Sequence, residues 1–159
     1  MPEANVRFRL DHVGVAVKDL TVARDAWEVV FGSPTSTPEE VTGEQVELSF
    51  LETQNSRIEL LQSTSSDGAI ANFLARRPPG VHHLSYSVEG IDIDAWFAEL
   101  LNRGVRLIGD EPTEGSDGTR VFFVHPSAVG GVLIEFSQKQ QPEQSNESQI
   151  PRSQRENNS

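Results

Sequence analysis

The chain alternates apolar and polar positions twice in the same order. Leu10-Asp11-His12-Val13-Gly14-Val15-Ala16-Val17 and Val81-His82-His83-Leu84-Ser85-Tyr86-Ser87-Val88 superimpose when His83 is set on His12. A period of two predicts a strand in each case, because successive strand side chains point to opposite faces. His12, Gly14 and Ala16 then share one face, and His83, Ser85 and Ser87 share the matching face of the second strand. The opposite faces carry Val13, Val15 and Val17, and Leu84, Tyr86 and Val88, which pack. Small residues beside an imidazole leave a hollow. Alternation lets only one of His82 and His83 face that hollow, and the repeat selects His83.

The period changes to that of a helix after each strand. Ala23, Ala26, Trp27, Val30 and Phe31 form one stripe, with Asp19 or Thr21 able to cap its start and Gly32 to end it. Ile93, Trp96, Phe97, Leu100 and Leu101 form the second stripe, ended by Gly104. Gly32 follows His12 by 20 positions and Gly104 follows His83 by 21, so the unit repeats in length as well as in pattern. Further strands are predicted over Val46–Leu51 and Arg57–Leu61 in the first unit, with room for another between Thr35 and Glu47. Val105–Ile108, Arg120–His125 and Val132–Phe136 are the strands of the second. The fold class is therefore α+β, built of two tandem βαβββ modules. They span 8–61 and 81–137. The connector 62–80 carries a short helix with Ile70, Phe73 and Leu74, which Asp67 can cap. The segment 138–159 is Gln, Ser, Asn, Glu and Arg with one large aliphatic, Ile150, and is expected to be disordered.

Composition narrows the function. With 159 residues the chain suits one domain or two small modules sharing a core. It has no cysteine, which excludes disulfides, thiolate nucleophiles and Cys-type zinc sites. A net charge of −11 disfavours nucleic acid as the partner. No signal-like or membrane-length apolar run occurs, so a cytoplasmic protein is expected.

Ile58-Glu59-Leu60 and Ile134-Glu135-Phe136 close the two modules, each Glu lying on the face away from its packing neighbours. His12, Glu59, His83 and Glu135 thus form a candidate set of two imidazoles and two carboxylates. Such a set suits a borderline divalent ion (Co, Mn, Ni, Fe or Zn). Two octahedral positions would stay open for a substrate with two spaced oxygens. The alternation that packs Val46, Leu48 and Phe50 directs Glu47 to the hollow. Were Leu48 to take that place instead, Glu47 would be solvated surface.

The stretches LDHVGVAVKDL at 10–20, SRIELLQ at 56–62, GVHHLSYSVEGID at 80–92, GVRLIGDEP at 104–112 and FVHPSAVGGVLIEF at 123–136 resemble the vicinal oxygen chelate superfamily, and within it the methylmalonyl-CoA epimerases. The resemblance covers roughly residues 8–137. It implies that the two modules form a half-open barrel around a metal held by His12, Glu59, His83 and Glu135. It implies inversion at the carbon between a thioester and a carboxylate through a metal-stabilised enolate. Glu135 would double as one acid/base and Glu47 is the candidate for the other. An acyl-CoA substrate and a homodimer are implied as well. The chain departs from the family at Ser116-Asp117, where Ala-His is common, and at Ser127, where Lys is common. Arg76, Arg77, Arg103, Arg106 and Arg120 remain as candidate phosphate contacts. Two rival expectations are a glyoxalase I-like lyase using the same ligands and a metal-free small-molecule-binding module.

Overall fold

The computed structural model describes residues 5–140. Its elements run β1 (Arg7–Ala16), α1 (Leu20–Phe31), β2 (Glu39–Val41), β3 (Val46–Glu52), β4 (Arg57–Ser63), α2 (Ala69–Arg76), β5 (Gly80–Glu89), α3 (Ile93–Asn102), β6 (Leu107–Glu114), β7 (Thr119–Val124) and β8 (Leu133–Lys139). All eight strands join one sheet in the order β2-β3-β4-β1-β5-β8-β7-β6. The two modules supply four strands each and meet where β1 pairs antiparallel with β5. Within each module the first and last strands are parallel neighbours, β1 with β4 and β5 with β8. The mixed sheet curves into a half-barrel, the vicinal oxygen chelate fold.

Helices α1 and α3 cover the convex face where the alternation leaves apolar side chains. Asp19 caps α1 by accepting from the Val22 amide at 2.9 Å, and Gly32 ends the helix in the left-handed region at φ 63°. Beneath α1, Val15, Val17, Leu20 and Leu60 form a buried cluster with Val13, Ala23, Trp27 and Ile58. Asp92 caps α3, whose Ile93, Trp96 and Phe97 pack with Val88, Phe122 and Val124.

Three details differ from the sequence reading. The N-cap of α2 is Gly68 rather than Asp67, and it makes no side-chain capping bond. β6 begins at Leu107 and continues through Pro112 to Glu114, well past Ile108. A proline is tolerated there because β6 is an edge strand, and its pairing with β7 is interrupted between Ile108 and Thr113. β8 extends through Lys139, past the expected module end at 137. Of the tail expected to be disordered, 141–159 lies outside the described residues.

Candidate functional site

Register explains how the two modules deliver matching side chains to the concave face. Paired residues on adjacent strands point the same way. Gly14 is paired with both Glu59 and His83, His12 with Ser85, and Ser85 with Glu135. The four expected donors therefore face one side of the sheet, drawn from β1, β4, β5 and β8. Gly14 is required here for space: a Cβ on it would overlap the His83 ring. Ser85, fully buried, occupies the corresponding place beside His12.

The donors converge. His12 Nε2 lies 3.0 Å from His83 Nε2. Glu59 Oε2 is 3.3 Å from His12 Nε2 and 3.5 Å from His83 Nε2. Glu135 Oε1 is 4.0 Å from His12 Nε2 and accepts a hydrogen bond from Ser85 Oγ at 2.7 Å. His12, Glu59 and His83 are buried, and the Glu135 side chain is 13% exposed. Ligating atoms of His12, His83 and Glu135 all lie within 4.8 Å of one another. Two imidazole nitrogens aimed at each other, with carboxylate oxygens beside both, are a donor set for a divalent cation.

His82 also faces the site, contrary to the alternation argument. The β1–β5 register slips twice, between Leu10 and His12 and between Gly14 and Val15. The extra residues are Asp11 in β1 and His82 in β5. Each is a β-bulge, which lets two consecutive side chains turn toward one face. Asp11 and His82 thus occupy equivalent places, each behind the ligand that follows it. Asp11 Oδ2 accepts from His12 Nδ1 at 2.7 Å and from Arg57 Nη2 at 2.5 Å. His82 Nδ1 and His83 Nδ1 share a hydrogen bond of 3.0 Å. With Nε2 as metal donor, His83 carries its proton on Nδ1 and donates to His82.

These surroundings polarise the site. The hydrogen bond from His12 and the Arg57 partner lower the Asp11 pKa to about 2, against the opposing effect of burial. Burial alone would lower the His12 pKa, but hydrogen bonds to Asp11 and Glu59 and the charges of Glu59 and Glu135 raise it to about 9. Burial, followed by the charges of His12 and His82, lowers His83 to about 3. Burial raises Glu135 to about 7, with His12 and the Ser85 hydroxyl pulling the other way.

Glu47 is not brought to the site. Phe50 pairs with Glu59 and Leu48 with Leu61, so these apolar residues of β3 face the concave side. Glu47 pairs with Gln62, whose Oε1 accepts from the Leu20 amide at the start of α1 on the convex side. The apolar residues of β3 can face inward because α2 fills that end of the hollow. Val46, Leu48 and Leu61 pack there with Ile70 and Phe73.

A cavity of about 1840 Å³ surrounds the donors. Arg57, which the sequence reading passed over, lies in it, stacked over Phe50 at 4.3 Å while it holds Asp11. The signal for Arg57 was its position two residues before Glu59, opposite His12. Of the candidate phosphate contacts, Arg120 lines the cavity but is bound to Asp94 at 2.6 Å. Arg103 is bound to Glu99 at 2.6 Å, and exposed Arg106 lies 3.5 Å from Ser127 Oγ. Arg76 and Arg77 border a smaller groove that reaches His82 and Leu133. Among the described residues, no helix is long and apolar enough to cross a membrane.

Comparison with known proteins agrees with this geometry. The Glyoxalase/Bleomycin resistance protein/Dioxygenase superfamily profile matches residues 11–123. The chain is 36% identical over 131 residues to the mitochondrial methylmalonyl-CoA epimerase of Bos taurus, covering 82% of this chain and 74% of that one. It is 36% identical over 132 residues to the ethylmalonyl-CoA/methylmalonyl-CoA epimerase of Cereibacter sphaeroides, covering 82% of this chain and 97% of the relative. Among solved structures it resembles a variant of Streptomyces coelicolor methylmalonyl-CoA epimerase in complex with 2-nitronate-propionyl-CoA. That likeness has a TM-score of 0.74 and 34% identity, covering 82% of this chain and 94% of the other.

Proposed function

The chain belongs to the Glyoxalase/Bleomycin resistance protein/Dioxygenase superfamily, and on that footing we propose that it is a methylmalonyl-CoA epimerase interconverting the (R) and (S) thioesters. The observation that carries this reading is the meeting of His12, Glu59, His83 and Glu135 at one buried point of a cavity large enough for an acyl thioester. These four residues would hold a divalent ion such as Co, Mn, Ni, Fe or Zn. A bound ion supplies positive charge against the thioester and carboxylate oxygens of the substrate.

The remaining chemistry belongs to the chain. The carbon between thioester and carboxylate loses a proton to a carboxylate base, and the C–H electron pair delocalises into the thioester carbonyl as an enolate. Return of a proton to the opposite face inverts the centre, which calls for two acid/base groups. Glu135 is the first. Its Oε1 is steadied by the Ser85 hydroxyl at 2.7 Å and stands at the edge of the donor set. Asp11 and His82 orient the two imidazoles from behind, which fixes the nitrogen that each presents.

A homodimer in the cytoplasm completes the reading. Val22, Val29 and Val30 are 65%, 84% and 76% exposed on α1, an apolar face that association would cover.

The test is deuterium wash-in at the α carbon of methylmalonyl-CoA in heavy water, across a panel of divalent metals. Metal-dependent exchange with racemisation is expected, and Glu135→Gln is expected to abolish it. Turnover of a glutathione hemithioacetal without exchange of the CoA thioester would assign the site to a lyase instead.

A further inference from the structure

The charged wall of the cavity is mainly acidic. Glu44, Glu89 and Glu114 line it beyond Glu59 and Glu135. Such a wall repels an anion, yet the substrate of the proposed reaction carries a free carboxylate beside its thioester. Among the described residues, three side chains with a fixed positive charge line the same cavity: Arg57, Arg120 and Lys139. Arg120 is bound to Asp94, and Lys139 ends β8 beyond Glu135 and Ser137. Arg57 stands among the donors.

Register puts it there. Arg57 lies two residues before Glu59 on β4 and pairs with His12 on β1, so its side chain leaves the concave face next to both. Its guanidinium lies 4.3 Å from the centroid of the Phe50 ring. Phe50 pairs with Glu59, not with Arg57, so the side chain leans along the sheet toward the donors. Phe50 in turn meets the His12 ring edge-on, with centroids 5.8 Å apart. Arg57 Nη2 donates to Asp11 Oδ2 at 2.5 Å, and the same oxygen accepts from His12 Nδ1 at 2.7 Å. Stack and ion pair hold the planar guanidinium in advance, which leaves less freedom to lose when it binds a ligand.

A guanidinium has five N–H donors in one plane. Asp11 takes one, and no other acceptor among the described residues takes another. The Arg57 side chain is 30% exposed, so the free donors stay within reach of a ligand. Its charge also matters. Arg57 offsets Asp11, while a divalent ion would offset Glu59 and Glu135, so a carboxylate arriving at the donors meets no uncompensated negative charge there. A site built to hydrogen-bond one group rejects an analogue that lacks it, because the donors are then left unpaired.

We infer that Arg57 is a specificity-determining residue that takes the carboxylate of the substrate and selects 2-carboxyacyl thioesters over acyl thioesters without that group. This rests on the function proposed above for the identity of the ligand. Arg57 stays protonated throughout, and no proton passes through it. Its N–H groups hold a carboxylate oxygen and fix the plane of the malonyl half while the α proton is moved.

The test is calorimetric binding of malonyl-CoA and of propionyl-CoA, which differ by the carboxylate, to the cobalt-loaded full chain. Wild type, Arg57→Gln and Arg57→Lys are compared at equal metal occupancy. Wild type is expected to bind malonyl-CoA the more tightly. Arg57→Gln is expected to weaken malonyl-CoA by about 10- to 100-fold, the scale of a lost charge-assisted hydrogen bond, and to leave propionyl-CoA within about twofold. Arg57→Lys is expected to restore part of the preference, as a point charge without the planar fork. Equal weakening of both ligands would overturn the assignment and leave Arg57 a prop for Asp11. An undiminished preference for malonyl-CoA in Arg57→Gln would overturn it as well. Deuterium exchange tests the proposed function separately. A protein with the Arg57-dependent preference that exchanges no α proton of methylmalonyl-CoA would keep this inference and overturn the epimerase reading.

Discussion

The two modules place equivalent atoms in equivalent positions and then surround them with opposite chemistry. In the first, the bulge residue behind the ligand is Asp11, and the residue across from His12 on β4 is Arg57. In the second, the bulge residue is His82, and the residue across from His83 on β8 is Leu133. A carboxylate behind an imidazole makes it a better base. An imidazole in an apolar setting leaves its neighbour neutral. His12 therefore rises to about 9 and His83 falls to about 3 in the metal-free protein. Without an ion, one proton on His12 partly neutralises Glu59 and Glu135, and a bound cation would take over that part. The duplication sets the geometry, and the bulge residues set the charge.

Substitution of the ligands should erase the contrast between the modules and give the largest effects. His12→Ala and His83→Ala should each remove stoichiometric metal and lower epimerisation by on the order of 10³-fold or more, whatever lies behind the ring. Metal analysis beside the exchange assay checks this, and a fully active His83→Ala would break the equivalence of the modules.

Gly14→Ala tests the packing that seats His83. The new Cβ collides with the ring, so metal affinity should fall while Ser85, the counterpart beside His12, is untouched. A loss of about 100-fold is expected, at the upper end for ligand-orienting changes. Thermal unfolding alongside separates misplacement of the ring from misfolding of the sheet.

The bulge residues should then show the asymmetry directly. Asp11→Asn keeps the shape but loses the charge, and should weaken metal binding by about 10-fold or more. His82→Asn should cost less, because a neutral acceptor replaces a neutral acceptor. Equal losses would contradict the electrostatic contrast.

The same contrast has a pH signature in the metal-free protein. The Asp11 pKa is depressed from 3.8 to about 2 in the folded state. Its contribution to stability is therefore complete above about pH 4 and is lost as pH falls through about 2. Carboxyl titration by NMR should find Asp11 low, and Asp11→Asn should flatten that part of the acid unfolding curve.

The smallest effect belongs to Glu47→Gln. On the convex side of β3 it should leave metal content unchanged and the exchange rate within about twofold, as surface substitutions generally do.

The duplicated small-residue faces were legible in the sequence because alternation along β1 and β5 holds wherever the pleat is regular. The same is true of Glu59 and Glu135, each between two packing residues. Asp11 and His82 were not legible. A bulge breaks the period of two, and nothing in the residue types of β1 or β5 announces the slip. Glu47 misled for a different reason. The rule that apolar residues turn away from a hollow fails where α2 fills the hollow with Ile70 and Phe73, so that Val46 and Leu48 pack inward.

X-ray absorption on the protein loaded with one equivalent of cobalt or zinc tests the central claim most directly. Two imidazole nitrogens and oxygen donors around a single ion are expected, with one imidazole lost in His12→Ala and one in His83→Ala. An ion without imidazole in its shell, or a spectrum unchanged by either substitution, would contradict the account.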